Sequence, residues 1–295
     1  MIKKASAAWA SLATLLFASG AYADQPQPWQ TGLQAAASPV MADIRWFEQY
    51  TLWFIVPITL FVLLLLIVVV VKFRSGANPV PSKTSHNTLI EIVWTLGPVI
   101  VLMFLAVPSF KLLNKELILP EKPDVTIKAT ATQWQWNYEY EGGDNPLAFD
   151  SYMLKDADRT AAGKTDLARY PRLLAADNEL VVPVNKNIRM LVTAAPTDVI
   201  HAFAMPAFGV KIDAVPGRLN ETWFLAEKEG LYYGQCSELC GKDHAYMPIA
   251  IRVVSEDKYK SWLAAAGSDL AKANKDLMAA TDGPATVKVA ENNAQ

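Results

Sequence analysis

The residues of this chain best suited to chemistry are concentrated in one short run, Cys236-Ser-Glu-Leu-Cys240-Gly-Lys-Asp-His244-Ala-Tyr-Met247. A further imidazole, His201, lies upstream, and of the two cysteines and three histidines in the chain only His86 stands outside this group. Two cysteines alone, in an oxidising compartment, read as a disulfide. Zinc would take two Cys and two His in a closed tetrahedral site but leaves Met247 without a role. Thiolate, imidazole and thioether from one loop, joined by an upstream imidazole, form the soft donor set that suits copper. One copper needs only one cysteine. A second thiolate four residues on lets two sulfurs bridge two copper ions, each completed by a histidine and a weak axial ligand.

The rest of the sequence says where such a site would sit. The chain has 295 residues, 52% of them hydrophobic, and a formal net charge of -2, so no basic excess points to nucleic acid. Residues 1–23 read as a signal peptide: Lys3 and Lys4, an apolar stretch from Ala7 to Ala18, and Ala21-Tyr22-Ala23 before the cut. Residues 24–50 form an outward-facing segment, 51–71 a first membrane helix, 72–91 a cytoplasmic loop and 92–113 a second membrane helix. The span from Thr51 to Val71 has no charge and would be ~31 Å long as a helix, enough to cross the hydrocarbon layer. Lys72, Arg74 and Lys83 place the loop inside by the positive-inside rule, so both mature termini face outward.

Beyond the hairpin the periodicity changes to alternation. Val125 to Thr130, the run Trp134, Trp136, Tyr138 and Tyr140, then Glu179–Pro183, Ile188–Thr193, Glu221–Leu225, Gly230–Tyr233 and Ile249–Val254 read as strands. Strands without alternating helices predict an exported β-sandwich or barrel over 118–255, with a polar loop from Asp144 to Arg172. Residues 256–295 are expected to hold one helix, Glu256 to Ala266, followed by a loose tail from about Gly267.

Cys236-x3-Cys240-x3-His244-x2-Met247, preceded by Gly230-Leu-Tyr-Tyr-Gly-Gln and followed by Pro248, resembles the CuA motif of cytochrome c oxidase subunit 2. The hairpin, Gln133-Trp134-Gln135-Trp136, Asp198-Val-Ile-His201 and Asp213-Ala-Val-Pro-Gly-Arg218 extend the likeness over nearly the whole mature chain. The resemblance implies a two-helix transmembrane hairpin followed by an all-β cupredoxin-like Greek-key sandwich. It implies a binuclear copper centre held by His201, Cys236, Cys240, His244 and Met247 and by the backbone carbonyl of Glu238. The Glu238 carboxylate would reach a Mg2+ shared with the catalytic subunit. Trp134 would take up electrons, although a strand tryptophan beside Trp136 is ordinarily core. Glu91 would mark the mouth of a proton pathway, where it could otherwise be a simple interfacial charge. Glu139, Asp150, Asp177 and Asp198 would help dock cytochrome c, helped by 18 Asp+Glu against 14 Lys+Arg between Pro120 and Ser255.

The implied role is an electron-transfer subunit, not catalytic alone, in a bacterial inner membrane. Its partners would be cytochrome c, a catalytic subunit carrying haem and copper, and a third subunit. A quinol oxidase subunit lacks these ligands. An anchored copper chaperone or thiol reductase would start a helix with its cysteines in a βαβ fold, and a disulfide-bearing assembly subunit is the plainest alternative.

Overall fold

The computed structural model describes residues 22–119, 122–142 and 147–282. The expected signal peptide falls outside them except for Tyr22 and Ala23. These two join Asp24 in a short strand, β1 (Tyr22–Asp24), parallel to Gly230–Tyr232.

The first helix, α1 (Pro39–Lys72), starts well before the uncharged span. Ser38 caps it by accepting from the Met41 N–H at 3.0 Å, and Pro39 needs no hydrogen-bond partner at the first helical position. Asp43, Arg45 and Glu48 end the apolar run without ending the helix, because charges are compatible with helical backbone where proline and glycine interior positions are costly. The segment expected to face outward is therefore helical from residue 39 and continuous with the apolar span. The second helix, α2 (Thr88–Leu117), is likewise longer than its apolar run. Both are long and apolar enough to cross a membrane. Leu60, Phe61, Leu66, Val70, Leu102 and Phe104 are exposed on them, which suits a lipid surround. Pro57, Pro98 and Pro108 lie within the helices.

The start of α1 is seated on the β-domain. Ala37, Val40 and Met41 are buried, and the fully buried Ser38 hydroxyl donates to the Phe208 carbonyl at 2.7 Å. Trp223 donates its indole N–H to the Lys115 carbonyl at 3.0 Å, tying α2 to the same domain.

Ten strands follow, in two sheets. β2 (Val125–Thr132), β3 (Gln135–Glu141), β4 (Leu147–Ser151), β6 (Asn187–Ala194) and β9 (Asn220–Leu225) form one, in the order β4-β3-β2-β6-β9. β5 (Leu180–Pro183), β7 (His201–Met205), β8 (Val210–Ala214), β10 (Gly230–Cys236) and β11 (Pro248–Val254) form the other, in the order β5-β11-β10-β7-β8. The two sheets give the sandwich that the alternation predicted, and their out-of-sequence neighbours fit the Greek-key order that the resemblance implied. Ile127, Trp136, Tyr138, Phe203, Phe208, Phe224 and Ile251 fill the core. Each such side chain contributes about 1.5–3 kcal/mol on burial.

Several expectations change. Trp134 is not in a strand: the last ladder pair of the β2–β3 hairpin is Thr132↔Gln135, which leaves Gln133 and Trp134 as a two-residue turn. His201 opens β7, a strand that the alternation did not predict. The run His201-Ala-Phe-Ala-Met205 has no β-branched residues to announce it, so pairing with β8 and β10 decides its conformation. The polar stretch after Asp144 contains β4, and its later part packs Leu154, Tyr170, Ala175 and Ala176 into a second small core.

The expected loose tail is instead a helix as far as residue 281. α3 (Glu256–Ala266) is followed by α4 (Leu270–Thr281), which buries Ala273 and Leu277 one turn apart. An ion network holds the insertion and this helix together. Glu179 binds Lys164 at 2.8 Å and Arg252 at 2.5 Å, and Arg252 reaches Asp282 at 2.6 Å and the Tyr170 hydroxyl at 2.9 Å. Two buried ends of one short ion ladder explain why few apolar residues suffice to dock α4.

Candidate metal centre

Backbone pairing assembles the site. Gly234 lets β10 lie against β7, since a Cβ there would sit 2.0 Å from the Ala204 carbonyl oxygen. The two strands then pair Cys236 with Phe203, one residue along from Ala202 and His201. The Ser237 N–H donates to the Ala202 carbonyl at 3.1 Å, and the Cys236 N–H to that of Met247 at 3.4 Å, so both ends of the loop are fixed. Trp136, fully buried, donates to the Met247 carbonyl at 3.4 Å and packs edge-on to His201 with ring centroids 6.5 Å apart.

All six residues expected to hold metal converge. The sulfurs of Cys236 and Cys240 are 3.8 Å apart and not bonded to each other. His201 Nδ1 lies 3.9 Å from the Cys236 sulfur, and His244 Nδ1 lies 3.5 Å from that of Cys240. The Met247 sulfur is 3.6 Å from Cys240, and the Glu238 carbonyl oxygen is 3.4 Å from Cys236. His201, Cys236 and Cys240 bring their ligand atoms within 4.8 Å of one another, all three residues buried. This is a soft donor set consistent with copper.

The electrostatics favour a bound cation. Burial opposes ionisation of Cys236, but its contact with His201 and backbone hydrogen bonds at Glu238 and Ala202 outweigh it and draw the thiol down to about 6. Burial and the Cys236 sulfur push Cys240 up to about 12. Ionising both thiols together would need positive charge between them, which a metal ion would supply.

Asp198, expected on the docking surface, also braces the candidate metal site. Its carboxylate accepts from the backbone N–H groups of Gln133 and Val199 at 2.9 and 2.7 Å and lies 3.2 Å from His201 Nε2. Burial raises its pKa, but these hydrogen bonds prevail and hold it below the usual carboxylate range. Because a carboxylate only accepts, Nε2 donates to Asp198, which leaves Nδ1, the nitrogen facing the sulfurs, as the one that would ligate a metal. Asp198→Ala should therefore weaken copper binding about 10–100-fold while sparing the fold, as read by competition with a chelator of known affinity. Unchanged affinity would show that the imidazole needs no such support. The Asp-x-x-His spacing was a signal available in the sequence.

The other candidates are placed as follows. Trp134 is half-buried and donates its indole N–H to the Cys240 carbonyl at 3.2 Å, beside Gln133 Nε2, which donates to the same oxygen at 2.7 Å. Nothing in the sequence distinguished Gln133. Glu139 pairs with Lys128 at 2.7 Å, and Asp150 accepts from Asn137 at 2.9 Å. Asp177 is turned in to cap the Tyr152 and Asn178 N–H groups, and burial raises its pKa. Glu91 accepts from the Asn87 N–H at 3.2 Å, closing the start of α2. The Glu238 side chain is exposed in an open cleft of about 750 Å3 that Lys211, Asp213, Arg218 and Glu221 also line. Cys236 ends a strand and Cys240 lies in a loop, so neither starts a helix as in a βαβ thiol reductase.

Comparison with known proteins agrees with this arrangement. Residues 125–254 match the family described as cytochrome C oxidase subunit II, periplasmic domain, and residues 26–112 the corresponding transmembrane domain. A probable cytochrome c oxidase subunit 2 from Rickettsia bellii is 46% identical over 266 residues, covering 90% of this chain and 95% of that protein. Cytochrome c oxidase subunit 2 from Cereibacter sphaeroides is 43% identical over 270 residues, covering 85% and 88%. The crystal structure of the periplasmic domain of subunit II of cytochrome oxidase of Bradyrhizobium japonicum is 58% identical, covers 50% of this chain and 96% of that one, and has a TM-score of 0.44. With both its membrane helices and its β-domain matched, the chain belongs to the cytochrome c oxidase subunit II family, a two-pass membrane component of a haem–copper oxidase.

Proposed function

We propose that this chain takes electrons from cytochrome c at a binuclear copper centre and delivers them to haem in the catalytic subunit, where oxygen is reduced to water and protons are pumped. The observation that carries this reading is the pair of sulfurs 3.8 Å apart, each with an imidazole of its own. His201, Cys236, Cys240, His244, Met247 and the Glu238 carbonyl would hold two copper ions. When bound, the copper pair supplies a one-electron carrier whose unpaired spin is shared between both metals.

The protein's part is to hold the donors still and to link them to the surface. Strand pairing on both sides of the loop resists movement when charge changes, which lowers the cost of each transfer. Trp134 joins the half-exposed hairpin turn to the Cys240 peptide through one hydrogen bond, a short path for an incoming electron. Glu139 and Asp150, on the solvent side of β3 and β4, contribute to docking a cytochrome. The exposed Glu238 carboxylate is available to a Mg2+ shared with the catalytic subunit. Glu91 stands at the inner end of α2, by the proton pathway of that subunit. The charges of Lys72, Arg74 and Lys83 support an inner-membrane hairpin with both ends periplasmic, and residues 1–23 serve as its signal peptide.

The purified oxidase should carry copper in this chain whose electron spin resonance shows hyperfine structure shared over two nuclei. A signal confined to one copper would overturn the reading. Trp134→Phe should leave that spectrum intact and slow reduction by cytochrome c at least about tenfold, since the indole N–H link to Cys240 is lost. Unchanged reduction would reduce Trp134 to a packing residue.

A further inference from the structure

The residue lying over Trp134 is a lysine. Lys242 Nζ stands 5.6 Å from the centroid of the Trp134 ring, and the Lys242 side chain is exposed. Its backbone is held there by Gly241, which has φ +122° and packs under the indole, where a Cβ would meet Cζ2 at 2.9 Å and Gln133 Nε2 at 3.1 Å. Among the described residues, no carboxylate lies within salt-bridge distance of Lys242. The ammonium is thus fixed by its stem yet not neutralised.

Of the acids near this turn, Asp177 is turned in and Glu139 is matched by Lys128, whereas Asp150 accepts from the neutral Asn137. Lys242 thus sets one positive charge directly over the indole on a domain that as a whole carries more acids than bases.

We propose that Lys242 selects the electron donor: it favours a cytochrome that presents a carboxylate or an uncharged rim to Trp134 and disfavours one that presents a lysine there. This rests on Trp134 as the point of electron uptake. A cation over an exposed aromatic face is held only weakly, so a docking protein can move the side chain. It cannot remove the charge, which acts on encounter through the surrounding field. A donor carboxylate would pair with the ammonium, whereas a donor lysine would be repelled within a Debye length of it.

The test uses the assembled oxidase and two c-type cytochromes, one with a basic and one with an acidic rim around its exposed haem edge. Rates of reduction are measured by stopped flow, and the binding constant of each oxidised cytochrome is measured separately. At low ionic strength Lys242→Gln should speed the basic donor about threefold and slow the acidic one similarly, and Lys242→Glu should do so about tenfold. Binding constants should move in the same directions. All differences should vanish near 1 M salt, where screening acts within about 3 Å. Lys242→Arg should keep the wild-type preference, and the copper spectrum should be unchanged in every variant. Opposite shifts for the two donors support the assignment. Equal shifts, no shift, or an effect that survives high salt overturn it. Trp134→Phe, run alongside, reports separately on electron uptake: if it slows both donors while Lys242→Glu changes neither, selection by Lys242 fails and the role of Trp134 stands.

Discussion

Cys236→Ser is expected to abolish the shared-spin copper signal and, with it, reduction of the oxidase by cytochrome c. Cys236 is the sulfur that His201 faces at 3.9 Å, and it stands 3.8 Å from Cys240. Serine nearly matches its volume in a buried position, so the sandwich should persist. Its hydroxyl is a hard ligand that stays protonated near neutral pH, and it cannot share electron density between two coppers as a thiolate does. Cys240, His244 and Met247 remain grouped within 3.6 Å of the Cys240 sulfur, so a single copper could still bind. The expected outcome is about one copper where the native chain holds two, with hyperfine structure from one nucleus. Metal analysis and electron spin resonance on the same sample decide it. A native spectrum in Cys236→Ser would sink the binuclear assignment, because no other sulfur among the described residues lies in position to replace it.

Glu179→Ala should be the most destabilising substitution outside the core, costing about 3–5 kcal/mol. The carboxylate is buried between two cations, Lys164 Nζ and the Arg252 guanidinium, each itself buried. Removing it leaves Lys164 with backbone carbonyls alone and Arg252 with Asp282 as its one remaining carboxylate among the described residues. Replacing the whole group by apolar residues would cost far less, so the penalty comes from breaking the set. The damage should be local at first: the 152–178 insertion and α4 are held together by this network, by the hydrogen bond from Asn274 to Asn178 at 3.0 Å and by apolar contacts. Denaturant unfolding of the purified chain measures the loss, and limited proteolysis should cut beyond α3 before the sandwich opens. A change below about 1 kcal/mol would mean that the network is solvated and contributes little.

The same group fixes an acid limit. Burial alone would raise the Glu179 pKa, but Arg252 and Lys164 outweigh it and hold the carboxyl at about 2 against an ordinary 4.5. A depressed folded pKa means the unfolded chain binds the proton more readily, so the contribution is fully present above about 4.5 and disappears as pH falls toward 2. Acid unfolding of the native chain should steepen in that window, and Glu179→Ala should flatten it.

The predicted strands and the actual ones differ where pairing, rather than local pattern, sets the conformation. Val125–Thr132 and Pro248–Val254 alternate or run apolar strongly enough to be read alone. His201–Met205 has no β-branched residue and Val210–Ala214 is only five residues long, and the two become strands because each completes the ladder of the other. Leu270–Thr281 is rich in the helix formers Ala, Leu, Lys and Met behind the Asp269 cap, so its helix was legible; only the structure shows that Ala273 and Leu277 seat it on the core.

The membrane hairpin and the candidate metal donors were legible from the chain before any fold was known. Hydropathy is a property of composition along the chain, and ligand chemistry is a property of residue type, with four donors placed by a loop too short to scatter them. Tertiary structure alone decided the rest. That Asp198 braces His201, that Gln133 and Trp134 both bond the Cys240 carbonyl, and that Lys242 lies over Trp134 all depend on segments far apart in sequence. Such contacts arise only when β2, β3, β7 and β10 close the sandwich around the loop, because the direction of a side chain is set by the register of its strand and not by its neighbours in the chain.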